Sequence, residues 1–371
     1  MKNLNRAYHK PDYKFIVTLC AIIVFGLVML SSASVALGFD KFGDNYHYIK
    51  HQLLNGFLPG IFMLIIFSFI NYRFWRKQAL WLLIFSIALL IAVFIPGIGA
   101  KYGSASSWLN IFGFSFQPSE LVKLTFLFYL AAWLENREEK RVSHFQEGLV
   151  PFLILLGIIA FLLFLQPDLG TMTIIVAFSL VVFYVGGANL THVIGLIILA
   201  FLGIIGLAKL APYRAARLTT FLHPELDPQG VGYHINQAFL AIGSGGLFGR
   251  GFGMSRQKFQ YLPEVAGDSI FAIIAEEMGL FVSGLLVMAY AYLTFRGFKI
   301  AAAAPDKFAK LFTVGVVSWI IIQAFVNIGA MVGLMPLTGV PLPFISYGGT
   351  ALAMLMGACG VVINISRQTK T

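Results

Sequence analysis

The 371-residue sequence predicts an all-α, polytopic membrane fold with about ten transmembrane helices, and three observations carry that reading. Apolar residues make up 58% of the chain and charged residues 11%, with a mean hydropathy of +0.83, outside the range of soluble domains and disordered segments. The apolar residues fall in runs close to the ~20 residues that cross ~30 Å of hydrocarbon. Lys and Arg gather in alternate connections, the asymmetry that orients helices across a bilayer.

In chain order, the runs predict spans at about 14–37, 52–70, 78–95, 117–134, 149–165, 171–187, 190–210, 268–296, 308–334 and 344–366. The first follows Lys2, Arg6, Lys10 and Lys14 and could mimic a signal peptide, with small residues from Ser31 to Ala36 as a weak cleavage region. Its apolar length favours a retained helix. Only Gln166-Pro167-Asp168-Leu169-Gly170 separates the fifth span from the sixth, and only Gly187-Ala188-Asn189 the sixth from the seventh, so charge must settle the parity. Basic clusters at 2–14, 73–77, 137–141, 296–310 and 367–370 face Lys41, Lys50 and Lys101 in the short connections of the other side. This places the tails 1–13 and 367–371 in the cytoplasm and the long segment 211–267, between the seventh and eighth spans, outside the cell. No polar block is large enough to bury its own core, so residues 1–371 read as one membrane domain.

The segment 211–267 mixes Pro212, Pro224, Pro228 and Pro263 with many glycines and the apolar run Phe239-Leu240-Ala241-Ile242. Short helices and re-entrant turns are expected there, since irregular backbone at membrane depth survives only against protein or a wet cavity. The net charge of +10 resides in membrane-flanking loops and does not point to nucleic acid. Cys20 and Cys359 lie in separate apolar runs and read as packing residues; the seven histidines lack metal-ligand spacing, and no zinc site is predicted.

Four of the sixteen acids, Glu264, Asp268, Glu276 and Glu277, fall between Gln260 and Gly279. A carboxylate in hydrocarbon costs about 2.5–3.5 kcal/mol on insertion scales, so such acids face water, a partner or a substrate. Asp268 opens the eighth span: it reads either as a helix N-cap, worth ~1 kcal/mol, or as a general base facing a wet cavity. At 100° per residue Glu276 sits about 80° round the helix from Asp268 and Glu277 near the opposite face, so at most one would share its cavity and the other needs a basic partner. Glu120 and Lys123 are three apart on the fourth span, a spacing that pairs them on one face, and either could instead recruit Glu276 or Glu277. Asp168 lies in a tight turn between two spans, which turn chemistry explains. Ser346-Tyr347-Gly348-Gly349 begins the last span; its N–H groups could bind an anion, or its glycines could bring two helices close. Arg214, Arg217, Arg250, Arg256 and Lys258, beside Tyr213, Tyr233 and Tyr261, suit either a pyrophosphate or lipid head groups.

Five motifs carry a resemblance: QPSELVKL at 117–124, QPDLG at 166–170, GGLFGRGFG at 245–253, YLPEVAGDSIFAIIAEEMG at 261–279 and GLMPLTGVPLPFISYGG at 333–349. Together they resemble the SEDS family of bacterial cell-wall proteins (FtsW, RodA and SpoVE), nearly end to end. The resemblance implies a peptidoglycan glycosyltransferase of the bacterial cytoplasmic membrane that polymerises lipid II on its outer face and releases undecaprenyl pyrophosphate. It implies Asp268 as the essential acid, raises the standing of Lys123 and Glu120, and admits a divalent cation, Mg²⁺ or Mn²⁺, as assistant, with no organic cofactor. A class B penicillin-binding transpeptidase, other division proteins and the nascent glycan are the implied partners. The YLPE and PFISYGG forms favour division over elongation. Departures are Ala266-Gly267 where the family often has His-Thr, Ser106-Ser107 before Trp108 where it often has Arg, and Gln260 for a Glu. A lipid-linked-precursor flippase and a non-catalytic division scaffold are the competing functions; charges concentrated at one end of the bilayer favour chemistry there over a path through it.

Overall fold

The computed structural model describes residues 9–369 apart from 98, 103–104, 112–113, 211–220 and 222–229. Helices follow in the order α1 Tyr13–Ala33, α2 Val35–Phe42, α3 His47–Phe69, α4 Tyr72–Ala92, α5 Pro118–Glu135, α6 Glu139–Val142, α7 Phe145–Leu165, α8 Leu169–Val185, α9 Leu190–Leu210, α10 Val231–Gly245, α11 Ile270–Ala302, α12 Lys307–Met331 and α13 Gly349–Ser366. Among the described residues, α1, α3, α4, α7, α11, α12 and α13 are long and apolar enough to cross a membrane. The other three predicted positions are helical as well: α5 carries Glu120, Lys123 and Glu135, α8 has 17 residues, and α9 follows it. The protein is a polytopic, all-α membrane protein.

Local chemistry sets the boundaries. Asp12 and Asp306 cap α1 and α12 by accepting from the Phe15 and Ala309 N–H groups, both at 2.9 Å, and Asp168 caps α8 from Thr171 at 3.1 Å. Pro118 occupies the first turn of α5, where its missing N–H leaves no bond unmade. The predicted run 14–37 divides at Ser34 into α1 and α2, and Gly43 ends α2 in a left-handed conformation.

Burial separates centre from rim: 83% of the apolar stretch of α13 and 78% of that of α12 is buried, against 22% for α3 and α4. The rim helices turn Phe62, Phe69, Trp81 and Phe85 outward, as lipid contact allows. Helices α3 and α13 meet along small residues spaced by four, Gly56 and Gly60 against Gly349, Ala353 and Gly357. A Cβ on Gly56 would stand 2.9 Å from the Gly349 Cα and one on Gly349 2.7 Å from the Asn55 carbonyl oxygen, so the two backbones are in contact. At one end of the bundle the His9 N–H donates to the Arg367 carbonyl at 2.8 Å, the Asp12 N–H to Ser366 Oγ at 3.2 Å, and Arg296 pairs with Asp12. The first and last described segments of the chain therefore lie together there.

Two features depart from the sequence reading. A three-stranded antiparallel sheet, β1 Gly99–Tyr102, β2 Ala105–Ile111 and β3 Phe114–Phe116, fills the connection before α5, pairing Ala100 with Trp108 and Asn110 with Ser115. Its strands are too short to register beside spans of twenty apolar residues. The second is a break in α11 at Gly279, whose φ is +75°. The segment 246–251 is laid into this break. Leu280 and Phe281 donate to the Gly246 and Leu247 carbonyls at 2.9 and 3.1 Å, while Arg250 and Gly251 donate to the Glu276 and Glu277 carbonyls at 2.9 Å. The inserted segment thus satisfies backbone groups that a broken helix would otherwise leave bare at membrane depth.

Candidate functional site

The end of the bundle opposite the chain termini holds the turn 261–269, which leads into α11. Asp268 lies in this turn, half-buried; the N-cap position belongs to Ser269, whose side chain makes no capping bond, so the N-cap reading of Asp268 does not hold. Ser269 Oγ donates to Asp268 Oδ1 at 3.5 Å and also meets His234 Nε2 of α10 at 2.6 Å. Three consecutive carbonyls of the turn are each held by a different donor. Tyr347 N–H bonds the Ala266 carbonyl at 2.8 Å, Ser346 Oγ the Gly267 carbonyl at 2.7 Å, and Asn327 Nδ2 the Asp268 carbonyl at 2.7 Å.

The Ser346–Gly349 segment is therefore a latch on the Asp268 turn. Ser346 Oγ accepts from the Leu342 N–H at 2.7 Å, the Gly348 N–H donates to Gln52 Oε1 at 3.0 Å, and Tyr347 Oη meets His51 Nδ1 at 2.8 Å. Gly349 serves the close α3–α13 approach. The anion-cradle reading of these four residues gives way because these protein bonds already occupy the Tyr347 and Gly348 N–H groups.

Beneath the latch lies a buried ion pair. Lys123 Nζ stands 2.7 Å from Glu120 Oε1, both residues 2% exposed or less, with the ammonium 5.1 Å from the Trp319 ring. Gln323 Oε1 accepts from Lys123 Nζ at 3.4 Å and from Trp319 Nε1 at 2.7 Å, and its amide donates to the Pro341 carbonyl at 2.8 Å. Glu120 Oε2 is buried without a hydrogen-bond partner beside a small cavity lined by Gln323, Pro341 and Ser346. Asp168 adds to this end by accepting from Ser119 Oγ at 3.2 Å and Gln117 Nε2 at 3.5 Å, besides capping α8. It ties α8 to the start of α5, the structural role that turn chemistry anticipates.

Neither Glu276 nor Glu277 joins Asp268, and neither recruits Lys123 or Glu120. Glu276 accepts from Ser255 Oγ at 2.5 Å and from the Arg256 and Gln257 N–H groups at 3.0 and 3.3 Å. Glu277 accepts from Ser32 Oγ at 2.7 Å, the Gly253 and Ser255 N–H groups at 3.0 and 3.3 Å, and Lys258 Nζ at 2.8 Å. The angular separation was sound for a straight helix, but the segment 250–258 wraps round the broken one and meets both acids. Lys258, expected to hold pyrophosphate, is 4% exposed and is the basic partner of Glu277. Arg250 and Arg256 are exposed; Arg250 Nε lies 3.2 Å from Ser244 Oγ and 3.8 Å from Glu276. Arg214 and Arg217 fall outside the described residues.

Sequence reasoning missed Asn327, Gln323 and His234. Asn327 and Gln323 are polar residues four apart in an apolar helix, a spacing that puts both on one face and was the available signal. Among the described residues no three His, Cys, Asp or Glu side chains converge, so an all-protein cage for Mg²⁺ or Mn²⁺ is not formed by them.

Residues 13–371 match the family model described as cell cycle protein, FtsW/RodA/SpoVE. The chain is 40% identical to stage V sporulation protein E of Bacillus subtilis (strain 168) over 97% of its length and 98% of the relative's. It is 36% identical to a probable peptidoglycan glycosyltransferase FtsW of Geobacter sp. (strain M18), over 96% and 98% of the two chains. Two solved structures share the fold at 28% identity, each over 97% of this chain and 98% of the other. One, from work on the structural coordination of polymerization and crosslinking by a peptidoglycan synthase complex, gives a TM-score of 0.80; Thermus thermophilus rod shape determining protein RodA gives 0.71. An acid on an immobilised turn, a buried ion pair beneath it and a match from end to end lead to one conclusion: the chain belongs to the FtsW, RodA and SpoVE family of cell cycle proteins, the SEDS family.

Proposed function

We propose that the protein is a peptidoglycan glycosyltransferase that polymerises lipid II at the outer face of the bacterial cytoplasmic membrane, with Asp268 as general base. The observation that carries this reading is the Asp268 turn, in which a half-buried carboxylate sits on backbone fixed by three hydrogen bonds at one end of an apolar bundle. A base must reach a hydroxyl proton without drifting from it, and a pinned turn meets that need. In the reaction the Asp268 carboxylate takes the proton of the acceptor sugar hydroxyl as its oxygen attacks the anomeric carbon of the donor. The bond from that carbon to the pyrophosphate oxygen breaks, and undecaprenyl pyrophosphate departs. The exposed Arg250 and Arg256, with Arg214 and Arg217, are placed in the sequence to neutralise the charge that develops on the leaving group.

Basic clusters on the end that carries both termini support a cytoplasmic location for that end, and so an outer location for Asp268. The likeness to a peptidoglycan synthase complex supports a class B penicillin-binding transpeptidase as partner, and relatives named FtsW and stage V sporulation protein E support septal work in division over elongation. The test is glycan polymerisation from lipid II by the purified full-length protein with its transpeptidase, wild type against Asp268→Asn, at matched folding. Polymer from wild type alone is the expected result. Equal polymer from both removes Asp268 from the chemistry. Transport of lipid II across liposomes without polymer from either transfers the function to a flippase.

A further inference from the structure

We infer that Asn327 is the positioning residue of Asp268, and that the buried Glu120–Lys123 pair acts on the same turn through Gln323. Asn327 is 1% exposed on α12, and its amide nitrogen bonds two carbonyls, that of Asp268 at 2.7 Å and that of Val340 at 2.8 Å. One side chain therefore joins the catalytic turn to the segment 338–346 that crosses in front of it. That segment comes close to the carboxylate itself, since a Cβ on Gly339 would stand 4.0 Å from Asp268 Oδ2. One turn earlier on α12, Gln323 holds the next carbonyl, Pro341, and takes its own orientation from Lys123 and Trp319. The connection runs from Glu120 through Lys123, Gln323 and the 340–341 backbone to Asn327 and Asp268, with a direct polar contact at every link.

Backbone conformation shows that these segments are held rather than relaxed. Glu264 and Phe344 adopt φ values of +51° and +65°, one on each of the two segments that meet at Asp268, and Gln260, at +65°, immediately precedes the turn. Such conformations cost of order 1–3 kcal/mol each and persist only where surrounding contacts dictate them. Asn327 bonds both of these segments, at the Asp268 and Val340 carbonyls. Without its donors, the buried Val340 carbonyl and the part-buried Asp268 carbonyl lose the Asn327 bond, and the turn is freed to move the Asp268 carboxylate away from the sugar hydroxyl. A displacement near 1 Å costs a reaction about 100-fold.

This inference rests on the reading of Asp268 as the base, and its test separates the two. Full-length protein with its transpeptidase partner is prepared as wild type, Asn327→Leu, Asn327→Ser and Asp268→Asn. Polymerisation kinetics and backbone hydrogen exchange are measured on each. Asn327→Leu is expected to lower kcat about 100-fold with the KM for lipid II within about twofold, while exchange quickens only in 264–270 and 338–347. Asn327→Ser, which keeps one donor, loses less, and it carries the test if the leucine variant fails to accumulate. The inference is overturned if kcat is unchanged, if KM alone moves, or if exchange quickens throughout the chain in step with the lost activity. If Asp268→Asn polymerises like wild type, the base reading falls. Local exchange in the Asn327 variants then still reports whether the bracket holds the turn.

Discussion

Asp268 and Glu277 stand nine residues apart on one stretch of chain, and their surroundings are opposite. Asp268 is half-buried, with its backbone pinned and its carboxylate bonded to Ser269 at the long distance of 3.5 Å. Glu277 is 0% exposed and receives Ser32, Gly253, Ser255 and Lys258. The first arrangement fixes the backbone of a half-buried acid; the second surrounds a fully buried carboxylate with four donors. Acids at membrane depth thus divide by what their oxygens are given to. Structure uses the oxygens of Glu277 to hold a loop in a broken helix, whereas at Asp268 it is the backbone that is held.

The largest effect expected from this contrast is on rate. Asp268→Asn should lower lipid II polymerisation by about 10²–10⁴-fold, the range for a lost general base, with no shift in thermal unfolding measured on the purified protein. A fall in unfolding temperature that accounts for the lost rate would erase the contrast. Next comes Glu277→Ala, which strands the Lys258 ammonium in the interior and should cost about 3–5 kcal/mol of stability. It is measured as loss of monodisperse protein or a lower unfolding temperature. Pairing Glu277→Gln with Lys258→Met should recover most of that loss, since neither charge is then left alone.

Arg250→Ala tests the rim of the same network. Its guanidinium is 33% exposed and 3.8 Å from Glu276, so about 0–1 kcal/mol is expected, while the lipid II KM rises if Arg250 meets the pyrophosphate. The smallest effect belongs to the exposed Asp44–Lys50 pair at 2.7 Å. The hydrogen bond from Lys50, helped by the Tyr46 N–H, holds the Asp44 carboxyl below its ordinary 3.8. A depressed folded-state value contributes stability above the ordinary value and loses it as pH falls through the depressed one. Unfolding temperatures of wild type and Asp44→Asn should therefore differ little near neutrality and converge in acid.

Much of this arrangement is legible in the sequence. Each of the ten apolar runs falls on a helix, seven of them long and apolar enough to cross a membrane, and the spacing of Glu120 and Lys123 gives their ion pair from the sequence alone. Asp268 stands out as an acid at the head of an apolar run. Other assignments fail for a common reason. Lys258 reads as a surface cation because its nearest sequence neighbours are loop residues, yet its ammonium contacts Ser32, 226 positions away. The Ser346–Gly349 segment reads as an anion cradle because the groups that occupy it, Gln52, His51 and Ala266, lie far along the chain. Helix periodicity separates Glu276 from Glu277 correctly, but it cannot show a loop that wraps a broken helix and reaches both.

Hydropathy and charge order are local properties, and the cost of exposing peptide groups to hydrocarbon forces each long apolar run into a helix whatever its neighbours. The sequence alone therefore determined the membrane class, the positions of the spans and the stretch that holds the acid. Which charges are occupied and which are reachable was decided by tertiary structure, because a buried ion or carbonyl takes its partner from whatever the packed helices bring within about 3 Å. Asn327 shows the division: one amide in an apolar helix, given its role only by the two carbonyls that folding sets beside it.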